Sequence, residues 1–245
     1  MKKFVTLCLV TVFVLMAGPV LAAPMLFGDG GASLQGVLDN ITVDPADGSS
    51  IDVTTDALAD SGDSYWNITG SGVSSAQIII ELAGFANQNT FGIYQGDVYV
   101  ELFDGSAAAG DTVSVKIQTD GRVVINNTTQ ADDKYFTNPT FGYYLISPEG
   151  TFYSDTSRNA DDFDHMAAYQ GNNSDVVQLP GTLEGEWMDN EYILAWEDKL
   201  GGDDRDYNDL VLMVESVNPV PIPGAALLLA TGLLGLVGIR RRVQS

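Results

Sequence analysis

Between Glu191 and Glu215 the chain reads EYILAWEDKLGGDDRDYNDLVLMVE. Seven oxygen-bearing side chains fall in its middle: Glu197, Asp198, Asp203, Asp204, Asp206, Asn208 and Asp209, against only Lys199 and Arg205. Carboxylates at that density repel one another unless a positive charge sits among them. The alternation Asp204-x-Asp206-x-Asn208 matches the ligand spacing of calcium loops, where hard oxygens at every second residue wrap one hard cation. The match is partial. The sixth loop position, which should be Gly, is Asp209, and Glu215 at the twelfth position is carried off by the apolar run before it. Two readings stay open: a calcium site, or a solvated acidic turn with Lys199 and Arg205 as local counter-charges. The scarcity of cations and the tight wrapping that Gly201-Gly202 allows favour the metal.

The elements that must position this loop flank it. Tyr192 to Trp196 and Leu210 to Val214 are short, apolar and partly β-branched or aromatic, so they read as two strands. Further strands are expected over Gln77 to Leu82, Asp97 to Phe103, Asp111 to Gln118 and Gly121 to Asn126, two of them alternating with period two. Asp120-Gly121 marks a hairpin, and Pro148-Glu149-Gly150 joins Phe141–Ser147 to Thr151–Tyr153 in a second. Only the two ends of the chain carry a sustained helical pattern. The expected fold is all-β: a single β-sandwich or jelly-roll-like domain over residues 23–216, with a signal helix before it and a transmembrane helix after it. The stretch from 23 to about 72 is Gly-, Ser-, Asp- and Thr-rich, with room for an edge strand or a turn of helix. Asp56 to Asp63 reads as a solvated acidic loop.

His165 is the single histidine, following Asp155, Asp161, Asp162 and Asp164. A packed, hydrogen-bonded histidine is the commoner role. A hydrolase arrangement of Asp164 and His165 with Ser154 or Ser157 is the rival, and the chain has no Gly-x-Ser-x-Gly elbow to support it. The same acids are also placed to lend a ligand to the calcium loop. Trp66, Trp187, Trp196 and the tyrosines offer either core or a sugar-stacking platform for exopolysaccharide.

The ends carry delivery information. Residues 1–22 have a basic start, an apolar centre and a small-residue close at Ala22, the pattern of a secretory signal peptide cut by signal peptidase. Cys8, the only cysteine, lies inside it, so the exported part has neither disulfide nor thiol. All 33 acidic residues lie between Asp29 and Glu215 together with six of the 11 basic ones, a net of −27 over that span. Such a surface repels nucleic acid and anionic lipid and attracts divalent cations. Residues 217–223 form a Pro-rich linker, 224–239 an apolar helix of roughly 24 Å, and 240–245 a basic tail that stays cytoplasmic while the acidic domain faces outward.

Two family resemblances rest on these residues. Val220-Pro221-Ile222-Pro223-Gly224, the short apolar helix and Arg240-Arg241-Arg242 resemble a bacterial PEP-CTERM or VPLPA-CTERM type sorting signal. Ile222 stands where the Pro-Glu-Pro version has Glu, which favours the Val-Pro-x-Pro variant. The resemblance implies attachment to the inner membrane through the C-terminal helix, an exosortase-type protease as partner, and delivery to the cell surface or matrix. Ala195-Trp196-Glu197-Asp198 followed by Gly201 to Val211 is similar to the signature of DUF4114, a β-rich domain of secreted bacterial proteins and large adhesins, with weaker similarity reaching back through Phe141 to Tyr169. The functional expectation is a non-enzymatic, exported and sorted surface or matrix protein of a Gram-negative bacterium, stabilised by calcium. A carbohydrate-binding module is the alternative and a hydrolase the third.

Overall fold

The computed structural model describes residues 33–81, 85–129 and 133–221. The expected signal peptide, Pro223, the C-terminal helix and Arg240 to Arg242 lie outside them. Among the described residues no helix is long and apolar enough to cross a membrane.

The chain opens with helix α1 (Leu34–Ile41) and strand β1 (Thr42–Asp44), then the short helix α2 (Asp60–Asp63). Strands β2 (Trp66–Ile68), β3 (Ser74–Glu81), β4 (Thr90–Gln95), β5 (Val98–Phe103), β6 (Thr112–Ile117), β7 (Val123–Ile125) and β8 (Thr128–Thr129) follow. The second half holds β9 (Thr140–Ser147), β10 (Gly150–Tyr153), β11 (Met166–Gln170), β12 (Val176–Val177) and β13 (Gly185–Glu186). It closes with β14 (Glu191–Trp196), β15 (Leu210–Glu215) and β16 (Val217–Pro219). The architecture is β throughout, with few helices, and both hairpins expected from turn residues are present: β6 pairs β7 and β9 pairs β10, each antiparallel.

Two sheets enclose the main core. One runs β16-β2-β9-β4-β5 with β10 also on β9; the other runs β11-β14-β15-β3-β6-β7-β8. Trp66, Phe91, Phe141, Tyr143 and Leu145 from the first meet Leu194, Trp196, Leu210, Leu212 and Val214 from the second. The alternate residues of the same two strands, Ile193, Ala195, Val211 and Met213, are equally buried on the opposite face. That explains why β14 and β15 read as continuous apolar runs: strands covered on both faces have no need to alternate.

The covering layer is the N-terminal segment, which goes beyond the single sandwich expected from sequence. Leu34, Val37, Leu38 and Ile41 recur at helical spacing and put one face of α1 into this second core. Ser33 starts the helix, its side chain accepting from the Gly36 amide at 3.1 Å. A small sheet β1-β12-β13 extends the layer.

Asp175 ties this layer together. Its buried carboxylate accepts from Ser49 Oγ (3.0 Å), the Ser50 amide (2.8 Å) and Asn172 Nδ2 (2.9 Å). Burial by itself would raise this carboxyl, but the donors outweigh it and hold it below the usual carboxylate value. A depressed folded-state value means the stabilisation is present above the ordinary 3.8 and is lost as pH falls through the folded value. Asp175→Ala is therefore expected to cost roughly 2–3 kcal/mol at neutral pH, a gap from wild type that shrinks in acid. Urea melts at pH 7 and pH 3 check it; a gap that widens in acid contradicts it.

The first sheet ends at β16, whose pairing with β2 continues through Pro219, with the Val220 amide donating to the Tyr65 carbonyl at 2.6 Å. The fold thus takes up three residues of the stretch read as linker. Proline is tolerated there because β16 is an edge strand.

Candidate metal centre

Glu197 and Asp198 follow directly on β14, and Asp203 to Asp209 lead into β15, so the antiparallel pair brings the two ends of the loop together. Positive φ at Gly201 (73°), Gly202 (69°), Arg205 (60°) and Tyr207 (53°) winds the connection tightly. The glycines adopt this freely; at Arg205 and Tyr207 it costs energy. Two bonds hold Tyr207 in place: its amide donates to Glu197 Oε1 (2.6 Å) and its hydroxyl to the Asp164 carbonyl (2.6 Å).

Of the seven residues singled out by spacing, three converge. Glu197, Asp204 and Asp206 each offer a carboxylate oxygen, and these lie within 4.8 Å of one another. Glu197 is 0 % exposed and its Oε2 has no hydrogen-bond partner. Asp206 accepts from the Asn208 amide (3.3 Å) and from Asn208 Nδ2 (2.5 Å), so Asn208 orients a carboxylate and its amide nitrogen is spent on that bond. Asp204 is exposed and forms the open side.

The other acids of the loop turn elsewhere, so the structure brings together three of the seven residues singled out. Neighbouring residues leaving a strand point to opposite sides, so Asp198 faces away from Glu197 and accepts from Asn89 Nδ2 at 2.9 Å. Asp209 joins it there, accepting from the Asp198 amide at 2.9 Å. Asp203 is on the surface, paired with Lys199 at 2.5 Å.

The charges confirm that the trio is not neutralised from within. Lys199 is occupied by Asp203, and the Arg205 guanidinium lies 5.0 Å over the Phe163 ring, in no ion pair among the described residues. The counter-charges that a solvated turn would need are thus directed away from Glu197. Burial pushes Glu197 up to about 8; the Tyr207 amide pulls against this, and Asp209, Asp206 and Asp204 add to it. Asp206 is raised too, by burial first, with Asp204 adding to it. Three carboxylates drawn together, two of them buried, form an oxygen-only donor set of the kind that hard divalent cations take.

A second layer of residues positions the loop and was not assigned from spacing. Asp161 Oδ2 accepts from the Gly201 amide (2.7 Å) and faces His165 Nε2 (3.0 Å). The Leu200 amide donates to Glu149 (3.0 Å). Of the acids before His165, Asp161 therefore braces the loop through its backbone. Their density around 155–164 was the signal; which carboxylate reaches across is set by topology.

His165 is packed. Its ring stacks on Phe152 at 3.9 Å between centroids, and Nδ1 faces the Glu197 carbonyl at 3.1 Å. Burial pushes it below its ordinary value despite Asp161. Neither serine of the imagined hydrolase faces it: Ser154 Oγ donates to the Ser64 carbonyl and Ser157 Oγ to Asp155. Trp66, Trp187 and Trp196 are all fully buried, which removes them from any sugar-stacking surface.

Residues 108–217 match a family model described as a domain of unknown function, DUF4114. No curated protein and no solved structure matches the chain. The matched stretch runs from just before β6 to the first residue of β16 and contains the whole acidic loop, but β3, which lies outside it, sits between β15 and β6. The second sheet is continuous only with the preceding residues included.

Proposed function

We propose that this chain is an exported, sorted cell-surface or extracellular-matrix protein without enzymatic activity, and that calcium bound by Glu197, Asp204 and Asp206 orders the loop before β15. The observation that carries the calcium is the Glu197 carboxylate, fully buried with one oxygen unpartnered and facing two further acids. Bringing those charges together costs free energy that a divalent ion offsets, so the loop closes when the ion is present. Export and sorting rest on the sequence patterns at the two ends, with signal peptidase, an exosortase-type protease and the inner membrane as partners.

Extracellular calcium modules work at dissociation constants of about 10⁻⁴ to 10⁻³ M. Calcium at 100-fold over that constant adds about 2.7 kcal/mol, or roughly 5–10 °C in Tm for a domain of this size. Chelator is expected to lower the melting temperature by that amount, and Asp206→Asn with Asn208→Ala to remove the part of the response that this loop supplies. An identical melt with and without calcium refutes the reading.

The exopolysaccharide alternative has one observation in its favour. A cleft of about 580 Å³ lies between the 117–121 turn and residues 135–139, with Tyr135 on its wall. Tyr135 is exposed and carries Arg122 5.7 Å over its ring. Glycan-array binding lost in Tyr135→Ala supports this reading; binding that survives the substitution excludes the cleft.

A further inference from the structure

The trio in the loop before β15 is lopsided. Glu197 and Asp206 are buried, and Asp204 is exposed. Some of their oxygens are already engaged at short range: Glu197 Oε1 accepts from the Tyr207 amide at 2.6 Å, and Asp206 Oδ2 from Asn208 Nδ2 at 2.5 Å. The backbone carbonyls at the end of β14 are engaged too. That of Glu197 faces His165 Nδ1 at 3.1 Å, and that of Asp198 accepts from Ser147 Oγ at 2.6 Å. What remains is Glu197 Oε2, which has no partner, Asp206 Oδ1, which meets only the Asn208 amide at 3.3 Å, and the two oxygens of Asp204.

Calcium takes about 6–8 oxygens, so an ion held by this set has about two or more positions left for oxygens from outside it. Those positions lie on the side of Asp204, the exposed member of the trio. A hard cation fills them with oxygen donors: water, carboxylate, phosphate or hydroxyl. Charge decides among these. Glu197, Asp198, Asp203, Asp204, Asp206 and Asp209 stand against Lys199 and Arg205, a formal −4 that one divalent ion brings only to −2. An anionic ligand would approach against that field, and against the excess of acids over the whole domain. Hydroxyls carry no charge to be repelled. Two of them on adjacent carbons have a further advantage: once the first is bound, the second is already at hand.

We propose that the ion held by Glu197, Asp204 and Asp206 is itself a binding site, taking a pair of vicinal hydroxyls of a neutral saccharide on its Asp204 side. This rests on the calcium reading given above and adds a ligand to it. Glu197 and Asp206 anchor the ion from within the fold, while the solvent-facing positions exchange water for sugar oxygens. The buried tryptophans take no part, and the site is separate from the cleft beside Tyr135.

Two measurements on the purified full chain decide the matter, after equilibrium dialysis has established that it takes up calcium. Europium in place of calcium, with its luminescence decay compared in ordinary and heavy water, counts the waters on the ion; about two or more are expected. An array of neutral and acidic glycans, probed in millimolar calcium and in chelator, is expected to show binding to neutral glycans that disappears in chelator and in Glu197→Gln. Adding a glycan that binds must then lower the water count. An ion without coordinated water overturns the proposal and leaves the calcium reading standing. So does glycan binding that survives chelator, binding confined to acidic glycans, or no glycan binding at all. A chain that takes up no calcium overturns the calcium reading and this proposal with it.

Discussion

Val211→Asp is expected to abolish folding. Val211 is fully buried, on the face of β15 that points away from the core between the two sheets. In a simple two-sheet sandwich that face meets water, and a carboxylate would be accepted there. Here it meets Ile193, Met213 and the apolar face of α1, with no cation among the residues of that core. Losing the valine contacts costs about 1.5–3 kcal/mol, and an unpaired buried charge about 3–5 kcal/mol more. The sum rivals the whole stability of an ordinary domain, about 5–15 kcal/mol. Ile146→Asp is the control. Ile146 lies on β9 with its side chain partly in water, so its replacement should change stability by about 0.5 kcal/mol or less. Circular dichroism and urea titration distinguish the two variants. A cooperative, wild-type melt for Val211→Asp would mean that the N-terminal segment does not cover this face.

The strands nearest the loop were legible because their apolar character is unbroken, and the alternating ones because a half-buried strand must alternate. Thr90–Gln95 escaped for a physical reason. Gly92 interrupts its pattern, yet a Cβ there would stand 2.2 Å from the Val100 carbonyl and 2.7 Å from the Tyr144 ring. The glycine is demanded by close strand and aromatic approach, which local pattern cannot register. Trp66–Ile68 and Met166–Gln170 are too short to show a period. The helix Leu34–Ile41 was within the range allowed for the N-terminal stretch, but its role as a lid on the second core depends on partners such as Ile193 and Val211 far along the chain.

The candidate site divides in the same way. The spacing of Asp204 and Asp206 places both on one side of the loop, and a reading based on alternation found them. The same reading took in Asp198, Asp203 and Asp209, which the structure turns away from Glu197, because composition counts carboxylates without regard to direction. Asp161 could be found only by folding. It reaches the loop across 40 residues through the Gly201 amide.

Glu197→Gln should reverse its effect with calcium. Without the ion, wild-type Glu197 is a buried carboxylate with one unpartnered oxygen among acids, and burial has already pushed it up to about 8. The neutral amide keeps an oxygen to accept from the Tyr207 amide and removes the repulsion. In chelator the variant is therefore expected to be more stable than wild type, by roughly 1–3 kcal/mol. With calcium the order inverts. The variant lacks the buried charge that draws the ion in and forgoes most of the roughly 2.7 kcal/mol that saturation supplies. Thermal melts of both proteins in chelator and in millimolar calcium must then cross. A conventional structural glutamate, satisfied by its surroundings, would give a variant less stable under both conditions by a similar margin. Parallel rather than crossing melts would thus return Glu197 to the bracing of Tyr207 alone and remove the ion from the loop.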